Sequence, residues 1–558
     1  MEQQTKSEVP AAGGGWNASQ PAMTLPGGRA VNPWLTLVAL MFGFFMSLLD
    51  ATIVNIALSD IQAKLKTDLT TVSWVINAYS LVFTVLLVTT GRLADQFGRK
   101  RMFMIGMVLF SLGSLLCAVA PTIEWLIAFR ALQAIGAAAL NPVSLAIITA
   151  VFPPTKRGSA IAVWGASAGL AAALGPIIGG VLVQNFDWRW IFFVNLPFCV
   201  IGLFLVYRFV PESKNPHATT VIDIWGFLTL SAGLFCLVFA IIQGNDWGWT
   251  SVGILSLFAV AIVALVAFYF VEIRQSQPIL DFKMFKVRSF SAGNIATFMF
   301  SMALQGAFLI LVLYLINAQG YKQLDAAYAL LPLPLSSFFV SAASGKLGSK
   351  FGIRRMAGLG MFVLCVGMFL LCTLNTDSGY IDVAWRCLIV GFGMGLCFTT
   401  FPSIVVSEVP RHQLGVASGA FNTFRQAGFV LGVAILISLF SGQIKDNVAQ
   451  ARTDAVALVK ASPNVPDQVK NGFIASLQDP NNQGRPASQG GQATSPAIAA
   501  LGQQIETRFK KATVDAFTVT WFASGVFALL GLIPVFFLRT PKALRQEASE
   551  PGMVAGMH

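Results

Sequence analysis

Charge is scarce in this 558-residue chain: Asp, Glu, Lys and Arg make up 11% of it, against about 25% in a soluble globular domain. With 55% of residues hydrophobic and a mean hydropathy of +0.70, too little polar surface remains to cover a water-soluble body of this size. Histidine is scarcer still. His217, His412 and His558 stand in or near polar segments with no metal-ligand spacing. The seven cysteines all fall in apolar stretches, with no Cys-x-x-Cys pair, so they read as small core hydrophobes and not as a disulfide or redox framework. The phosphate-binding pattern Gly-x-x-x-x-Gly-Lys-Ser/Thr is missing, which argues against ATP as an energy source. No nucleophile, metal or cofactor constellation stands out, so a membrane enzyme is disfavoured, and no catalytic residue, metal or cofactor is expected.

Long apolar runs are what the chain has in abundance. Stretches of about 20 residues, each enough for a ~30 Å hydrocarbon core, recur near 33–56, 70–91, 102–120, 124–148, 158–184, 189–210, 222–242, 251–271, 290–317, 325–345, 355–374, 383–406, 414–441 and 516–538. The chain is therefore expected to be an all-α membrane protein of fourteen transmembrane helices. Residues 1–30 are polar and Gly-rich, without a secretory h-region, and read as a disordered tail. An even number of spans puts both termini on one side. Loops on that side hold Arg92, Arg99, Lys100, Arg101, Lys156, Arg157, Arg274, Lys283, Lys286, Arg288, Lys346, Lys350, Arg354 and Arg355, whereas short loops on the other hold little beyond Lys64, Lys66, Arg189 and Lys322. The positive-inside rule then assigns both termini to the cytoplasm. It also accounts for the net charge of +12 without a nucleic-acid partner.

The chain repeats itself. Gly91-Arg92-Leu93-Ala94-Asp95-Gln96-Phe97-Gly98-Arg99-Lys100-Arg101 aligns without a gap on Gly345-Lys346-Leu347-Gly348-Ser349-Lys350-Phe351-Gly352-Ile353-Arg354-Arg355, at an offset of 254. Arg130 falls near Arg386 and Gly158 falls on Gly415 in almost the same register. Two homologous six-helix bundles with an inserted hairpin follow, and paired repeats place a transport path at their interface near the membrane midplane. The expected organisation is a tail at 1–30, a first bundle at 31–212, the hairpin and linker at 213–288 and five helices of the second bundle at 289–441. An extracytoplasmic polar insertion at 442–515, the last span at 516–540 and a cytoplasmic tail at 541–558 complete it. In the insertion, Gln478–Ala493 reads as low-complexity and disordered. Asp446–Lys460 reads as helical, and Ser495-Pro496 as a helix start.

Gly91 and Gly98 permit tight turns and close approach. Asp95 is suited to pair with a neighbouring Arg or to sit at the N-terminus of a helix from the other half. Contacts of that kind form only when one side of a transporter is closed. The second copy carries Ser349 in place of the acid, so a latch built on Asp95 is expected to be asymmetric. Asp50 is the only acid placed deep within a span, and Arg130, Arg386 and Arg425 are the buried bases. A carboxylate in such a place is a candidate for reversible protonation; the alternative is a permanent Asp50–Arg130 pair that only orients helices. In the fifth span Gly165, Gly169, Gly175, Gly179 and Gly180 make a smooth face, and Pro176 loosens the backbone ladder.

These segments resemble the major facilitator superfamily, and within it the fourteen-span drug:proton antiporter family of the EmrB/QacA type. Residues 91–101 match its motif A, Arg130–Gly136 is similar to motif B with Ala134 in place of a common glycine, and Gly165–Gly180 matches motif C, which is associated with antiporters. Leu49–Leu58 matches the family's first-span motif, and Trp188–Pro197 and Phe421–Gln426 are also similar. The likeness covers about 31–441 and 516–540. It implies the major facilitator fold and proton-driven efflux of amphipathic small molecules by alternating access. Asp50 and Arg130 are then candidates for coupling, and motif A (Gly91, Asp95, Gly98, Arg99, Lys100, Arg101) is the cytoplasmic gate. Asn55, Gln133, Arg386, Arg425 and Gln426 are candidates for the cavity or for coupling. The implied location is a plasma membrane of the bacterial inner-membrane kind, with substrate, protons and lipid as partners. The competing readings are a dedicated exporter of one metabolite, siderophore, antibiotic or lipid, and a pump component that docks a periplasmic adaptor. Since the thirteenth span offers Arg425 and no acid, a preference for dications is not expected.

Overall fold

The computed structural model describes residues 24–25, 29–214, 223–275, 278–321, 323–407, 409, 413–462, 465–478 and 496–538. Most of the tail expected at 1–30, the low-complexity stretch from 479, Ser495, the C-terminal tail from 541 and all three histidines lie outside the described residues. The first bundle comprises α1 (Pro33–Leu65), α2 (Leu69–Phe97), α3 (Arg99–Ala118), α4 (Ile123–Val151), α5 (Pro154–Asn185), the single turn α6 (Trp190–Phe193) and α7 (Asn195–Phe209). A hairpin follows, α8 (Ile224–Trp247) and α9 (Val252–Glu272). The second bundle holds α10 (Arg288–Leu313, continued by a π-helical turn Tyr314–Ala318), α11 (Gln323–Ala329), α12 (Pro332–Phe351), α13 (Ile353–Leu371), α14 (Tyr380–Ser407), α15 (Leu414–Ala461), α16 (Asp467–Gln478) and α17 (Pro496–Phe536). A two-residue antiparallel ladder, Thr24–Leu25 with Arg29–Ala30, precedes them.

Helix starts are written locally. Asn32 accepts from the Trp34 amide at 3.0 Å, with Pro33 in the first turn where its missing N–H is no loss. Asp68 accepts from Thr71 N at 2.8 Å to open α2, and Asp223 from Gly226 N at 2.8 Å to open α8. Thirteen of the described helices are long and apolar enough to cross a membrane. The remaining crossing is α12, whose hydropathy is lowered by serines that face protein. Ser336 Oγ donates to Leu388 O and Ser341 Oγ to Gly395 O, both at 2.9 Å, and Ser344 Oγ to Thr399 Oγ1 at 2.6 Å. Such bonds tie α12 to α14 where hydrophobic attraction between helices is absent.

The two bundles repeat one packing scheme: α3 on α4, α2 on α4, α1 on α5 and α1 on α7 return as α13 on α14, α12 on α14, α10 on α15 and α10 on α17. Gly106 and Gly136 let α3 and α4 touch backbone to backbone, and Gly360 and Gly393 do the same for α13 and α14. A Cβ at Gly136 would meet the Phe110 backbone, and one at Gly393 would stand 2.5 Å from Leu364 N. Each repeat also carries a proline inside its fourth helix, Pro142 in α4 and Pro402 in α14. Proline has no N–H for the carbonyl four residues back; in α4 that carbonyl, Ala138 O, is taken by Thr90 Oγ1 of α2 at 2.7 Å.

Three segments differ from the sequence expectation. The stretch 91–101 is not a loop: α2 runs to Phe97 and α3 begins at Arg99, so Gly98 alone makes the reversal, at φ +109°. Span 10 is broken, with α11 separated from α12 around Leu330-Leu331, ahead of Pro332. The helical flank after 442 is no separate element, because α15 continues unbroken to Ala461; no proline interrupts it. Beyond the membrane, α15, α16 and the start of α17 share a small core of Ala455, Val459, Leu477, Leu501, Ile505 and Phe509.

Candidate functional site

Asp50 lies in mid-α1, wholly buried. Its Oδ2 pairs with Arg130 Nη1 of α4 at 2.5 Å. Its Oδ1 accepts from Gln133 Nε2 at 2.9 Å and from Asn195 Nδ2 at 3.0 Å. Arg130 and Gln133 stand three apart on α4, hence on one face, and Arg130 Nη1 also donates to Gln133 Oε1 at 2.6 Å. The guanidinium is held again by Val75 O at 3.1 Å and lies 4.1 Å from the Tyr79 ring centre. Asn195 donates as well to Ser114 Oγ at 2.8 Å, which donates to Phe192 O at 2.9 Å. Two buried charges cost several kcal/mol each in desolvation unless geometry and further hydrogen bonds offset it, and here both are supplied.

A short polar path leaves this cluster towards the second bundle. Tyr79 Oη donates to Ser47 O at 3.3 Å, and Asn141 Nδ2 of α4 donates to Ser47 Oγ at 3.0 Å. Asn141 Oδ1 accepts from Arg425 Nη2 of α15 at 3.4 Å, which crosses between the bundles.

The bundles also meet at the end carrying Gly98 and Gly352, called here the basic end. Gly91 of α2 lies against the Gly415 backbone of α15, and Gly345 of α12 against Gly158 and Ser159 of α5, so the repeat generates two related seams. Only the first is latched by a described carboxylate. Asp95 accepts from Gly415 N and Val416 N, both at 3.1 Å, and pairs with Arg99 Nη2 at 2.7 Å. It thereby caps a helix of the other bundle, whose terminal amides carry partial positive charge. Asp95 is fully buried, which corrects the view of Asp50 as the only deep acid; the error came from reading 91–97 as loop. Ser349 is at the corresponding place on α12, and its side chain lies outside the description. α8 of the inserted hairpin packs on both α2 and α15, and further along α15, away from the latch, Trp249 Nε1 donates to Ser438 Oγ at 3.1 Å.

Motif C divides its glycines between two partners. Gly165 and Gly169 face α14 and α12 of the second bundle, next to Phe398 O and Ser337 Oγ, whereas Gly175 and Gly179 face Thr52 and Ile53 of α1. Phe398 O is the carbonyl orphaned by Pro402. Pro176 is half-buried and Gly180 buried. Of the other candidates, Gln133 belongs to the Asp50 cluster. Arg386 does not line an interface: it binds Leu370 O at 3.1 Å, Thr373 Oγ1 at 2.8 Å and Asp382 O at 2.6 Å. Its position near the start of α14 favours the free carbonyls at the end of α13. Asn55 is exposed on α1 and Gln426 half-buried on α15. Sequence reasoning missed Asn195 as an Asp50 partner, although it lies in the quoted segment 188–197. It missed Asn141 beside Pro142, and Glu212, whose carboxylate accepts from Lys100 N at 3.0 Å and Arg101 N at 3.1 Å and caps α3. The available signal was an acid directly after an apolar span on the most basic face.

Comparison with known proteins adds four findings. The Major Facilitator Superfamily profile matches residues 40–433. The chain is 33% identical over 432 residues to Multidrug resistance protein 3 of Bacillus subtilis, covering 76% of this chain and 82% of that one. It is 31% identical over 425 residues to the Tetracenomycin C resistance and export protein of Streptomyces glaucescens, covering 76% and 79%. Among solved structures, the human organic anion transporter MFSD10 (TETRAN) superposes with a TM-score of 0.56 at 12% identity, over 89% of this chain and 99% of that one. That last likeness concerns the fold.

Proposed function

The chain belongs to the major facilitator superfamily, and from that membership we propose that it is a proton-coupled efflux transporter that exports amphipathic small molecules by alternating access. The observation that carries the reading is Asp50, buried among Arg130, Gln133 and Asn195 in one bundle and joined through Ser47 and Asn141 to the other. A proton on Asp50 cancels its charge, yet Arg130 keeps Val75 O, Gln133 Oε1 and the Tyr79 ring. These contacts offset part of the cost of the buried base when the acid is neutral, as a reversible site requires. The two seams at the basic end are the contacts that must open in the opposite state. A shift of a few kcal/mol between the states suffices to cycle them.

The basic end faces the cytoplasm in this reading, since short loops rich in Lys and Arg stay on that side. The bacterial sources of the relatives favour a bacterial plasma membrane. The relative named for multidrug resistance supports a broad range; the one named for tetracenomycin C supports a dedicated exporter as the second reading. An adaptor would dock at the helical extension of α15–α17, and co-purification from detergent tests it.

The test is export of a panel of fluorescent and antibiotic compounds from energised cells lacking their own pumps, with and without an uncoupler. Wild type is expected to export several unrelated compounds in an uncoupler-sensitive manner. Asp50→Asn, inserted at normal levels, is expected to lose gradient-driven export. Wild-type rates in Asp50→Asn would refute Asp50 as the coupling acid, and export of a single compound would favour the dedicated exporter.

A further inference from the structure

Besides Arg92 and Arg99 at the basic end, three arginines are buried in the described helices, and they are treated very differently. Arg130 has a carboxylate, a carbonyl, an amide and an aromatic ring. Arg386 has two carbonyls, a hydroxyl and the Asp382 carboxylate at 3.5 Å. Arg425 is 4% exposed, and among the described residues no carboxylate oxygen lies within 4.0 Å of it. Its one hydrogen bond among those residues is the 3.4 Å contact to Asn141 Oδ1, and its Nε has no partner there. The Phe421 ring centre is 5.9 Å away, a contact of about 0.5–2 kcal/mol. An uncompensated guanidinium costs several kcal/mol when desolvated, so nothing in the fold is gained from this charge.

Its surroundings are polar but poor in acids. Ser418, Asn422 and Arg425 follow at i, i+4 and i+7, on one face of α15. Ser418 and Asn422 are wholly buried, and each has a side-chain oxygen without a partner among the described residues. The facing residue, Asn141, belongs to the other bundle, so the face lies where the bundles meet and where alternating access opens the protein. The path Asn141–Ser47–Tyr79 ends at Arg130.

We propose that Arg425 is the substrate-recognition residue, receiving a carboxylate, sulfonate or ionised phenol on an amphipathic substrate, with the Ser418 hydroxyl as a flanking donor. The inference rests on the transport reading and deepens it by naming the charge of the substrate. A planar guanidinium presents paired N–H groups that match such an anion, and the pairing is strengthened by the absence of water. The substrate's charge then completes a pair that the protein leaves open, and a cation meets repulsion instead.

A matched pair of probes tests this: 1-anilinonaphthalene-8-sulfonate and the uncharged 1-anilinonaphthalene, which differ only in the sulfonate. Binding to the full chain in lipid nanodiscs, corrected with empty discs, is expected to favour the sulfonate by about tenfold or more. Arg425→Gln should bind the two probes alike, and Arg425→Lys should keep part of the preference. Equal binding of both probes by wild type, or an unchanged preference in Arg425→Gln, would overturn the proposal; the wild-type comparison needs no variant to fold. Export of the same probes from energised cells separates the two readings. Uncoupler-sensitive export of the uncharged probe with no anion preference would leave transport standing and remove Arg425 from recognition. Charge-selective binding lost in Arg425→Gln without any export would support Arg425 and count against efflux.

Discussion

The two bundles are built on one scaffold and given different chemistry. Gly106–Gly136 and Gly360–Gly393 bring the same helix pairs together, Pro142 and Pro402 interrupt the same helix, and Gly91–Gly415 and Gly345–Gly158 form the same kind of seam. Charges break the symmetry. The first bundle buries Asp50 with Arg130, whereas Arg386, almost equivalent to Arg130 in the repeat, is turned to the end of α13 and a half-exposed Asp382. The first seam has Asp95 on the amides of α15 and α8 of the hairpin packed on both its helices. In the proposed transport cycle, backbone packing supplies the seams on which the bundles would move, and a few charges in one bundle supply what that motion would be coupled to.

The contrast is sharpest at the paired arginines. Arg130→Gln leaves Asp50 buried without its base and is expected to cost about 3–5 kcal/mol of stability. Arg386→Gln removes hydrogen bonds at the end of a helix and should cost about 1 kcal/mol. Thermal unfolding of the two variants in one detergent compares them, and equal losses would show the bundles to be electrostatically alike after all. Next in size is the latch. Asp95→Asn weakens two amide bonds and unpairs Arg99, so turnover should fall about tenfold, the equivalent of about 1.4 kcal/mol. Labelling of single cysteines at the basic end should rise in parallel; unchanged labelling would mean that Asp95 does not hold that end closed.

The smallest effect is expected at the opposite end. There α1 continues beyond its membrane-crossing part, Pro33–Leu58, and Lys64 reaches Asp60 at 2.9 Å and Asp187 at 3.0 Å. At the corresponding end of the second bundle the Tyr314 hydroxyl donates to Asn375 O at 2.7 Å, beside the Arg386–Asp382 pair. Partial burial pushes the Asp187 carboxyl up, but the Arg189 amide and Lys64 outweigh it and hold the group below the ordinary 3.8. Its contribution is therefore present above that pH and lost as the pH falls through the lowered value. Both side chains are partly exposed, so the pair is worth under about 1 kcal/mol. Asp187→Asn should lower the melting temperature slightly at pH 7, with the difference closing under strongly acid conditions; a constant difference would assign the effect to packing.

Much of this was legible in the sequence because it is local or periodic. The crossings follow from runs of apolar residues, helix starts from Asn32, Asp68 and Asp223, and the two-bundle plan from the offset of 254 between the glycine-rich segments. Asp50 and Arg130 were legible as expensive charges in an apolar chain, and Asp95 as a latch between two glycines. Partners were not. Asp50 meets Asn195, 145 residues away, and Asp95 meets Gly415 N, 320 away. Glu212 was unremarked because it caps α3 from the segment after α7, more than 110 residues along the chain, which leaves no local spacing to read. Arg425 and Arg386 look alike as isolated arginines in apolar runs.

By itself, the sequence determined that the chain crosses a membrane, how often, and in two repeated bundles. Those properties depend on hydration and helix periodicity, which act residue by residue along the chain. The tertiary structure alone decided which charges are paired, which seam is latched and which arginine is left open. Those outcomes depend on a few ångströms between side chains of different helices, and at low dielectric such distances decide whether a buried charge is held by the fold or left for a ligand.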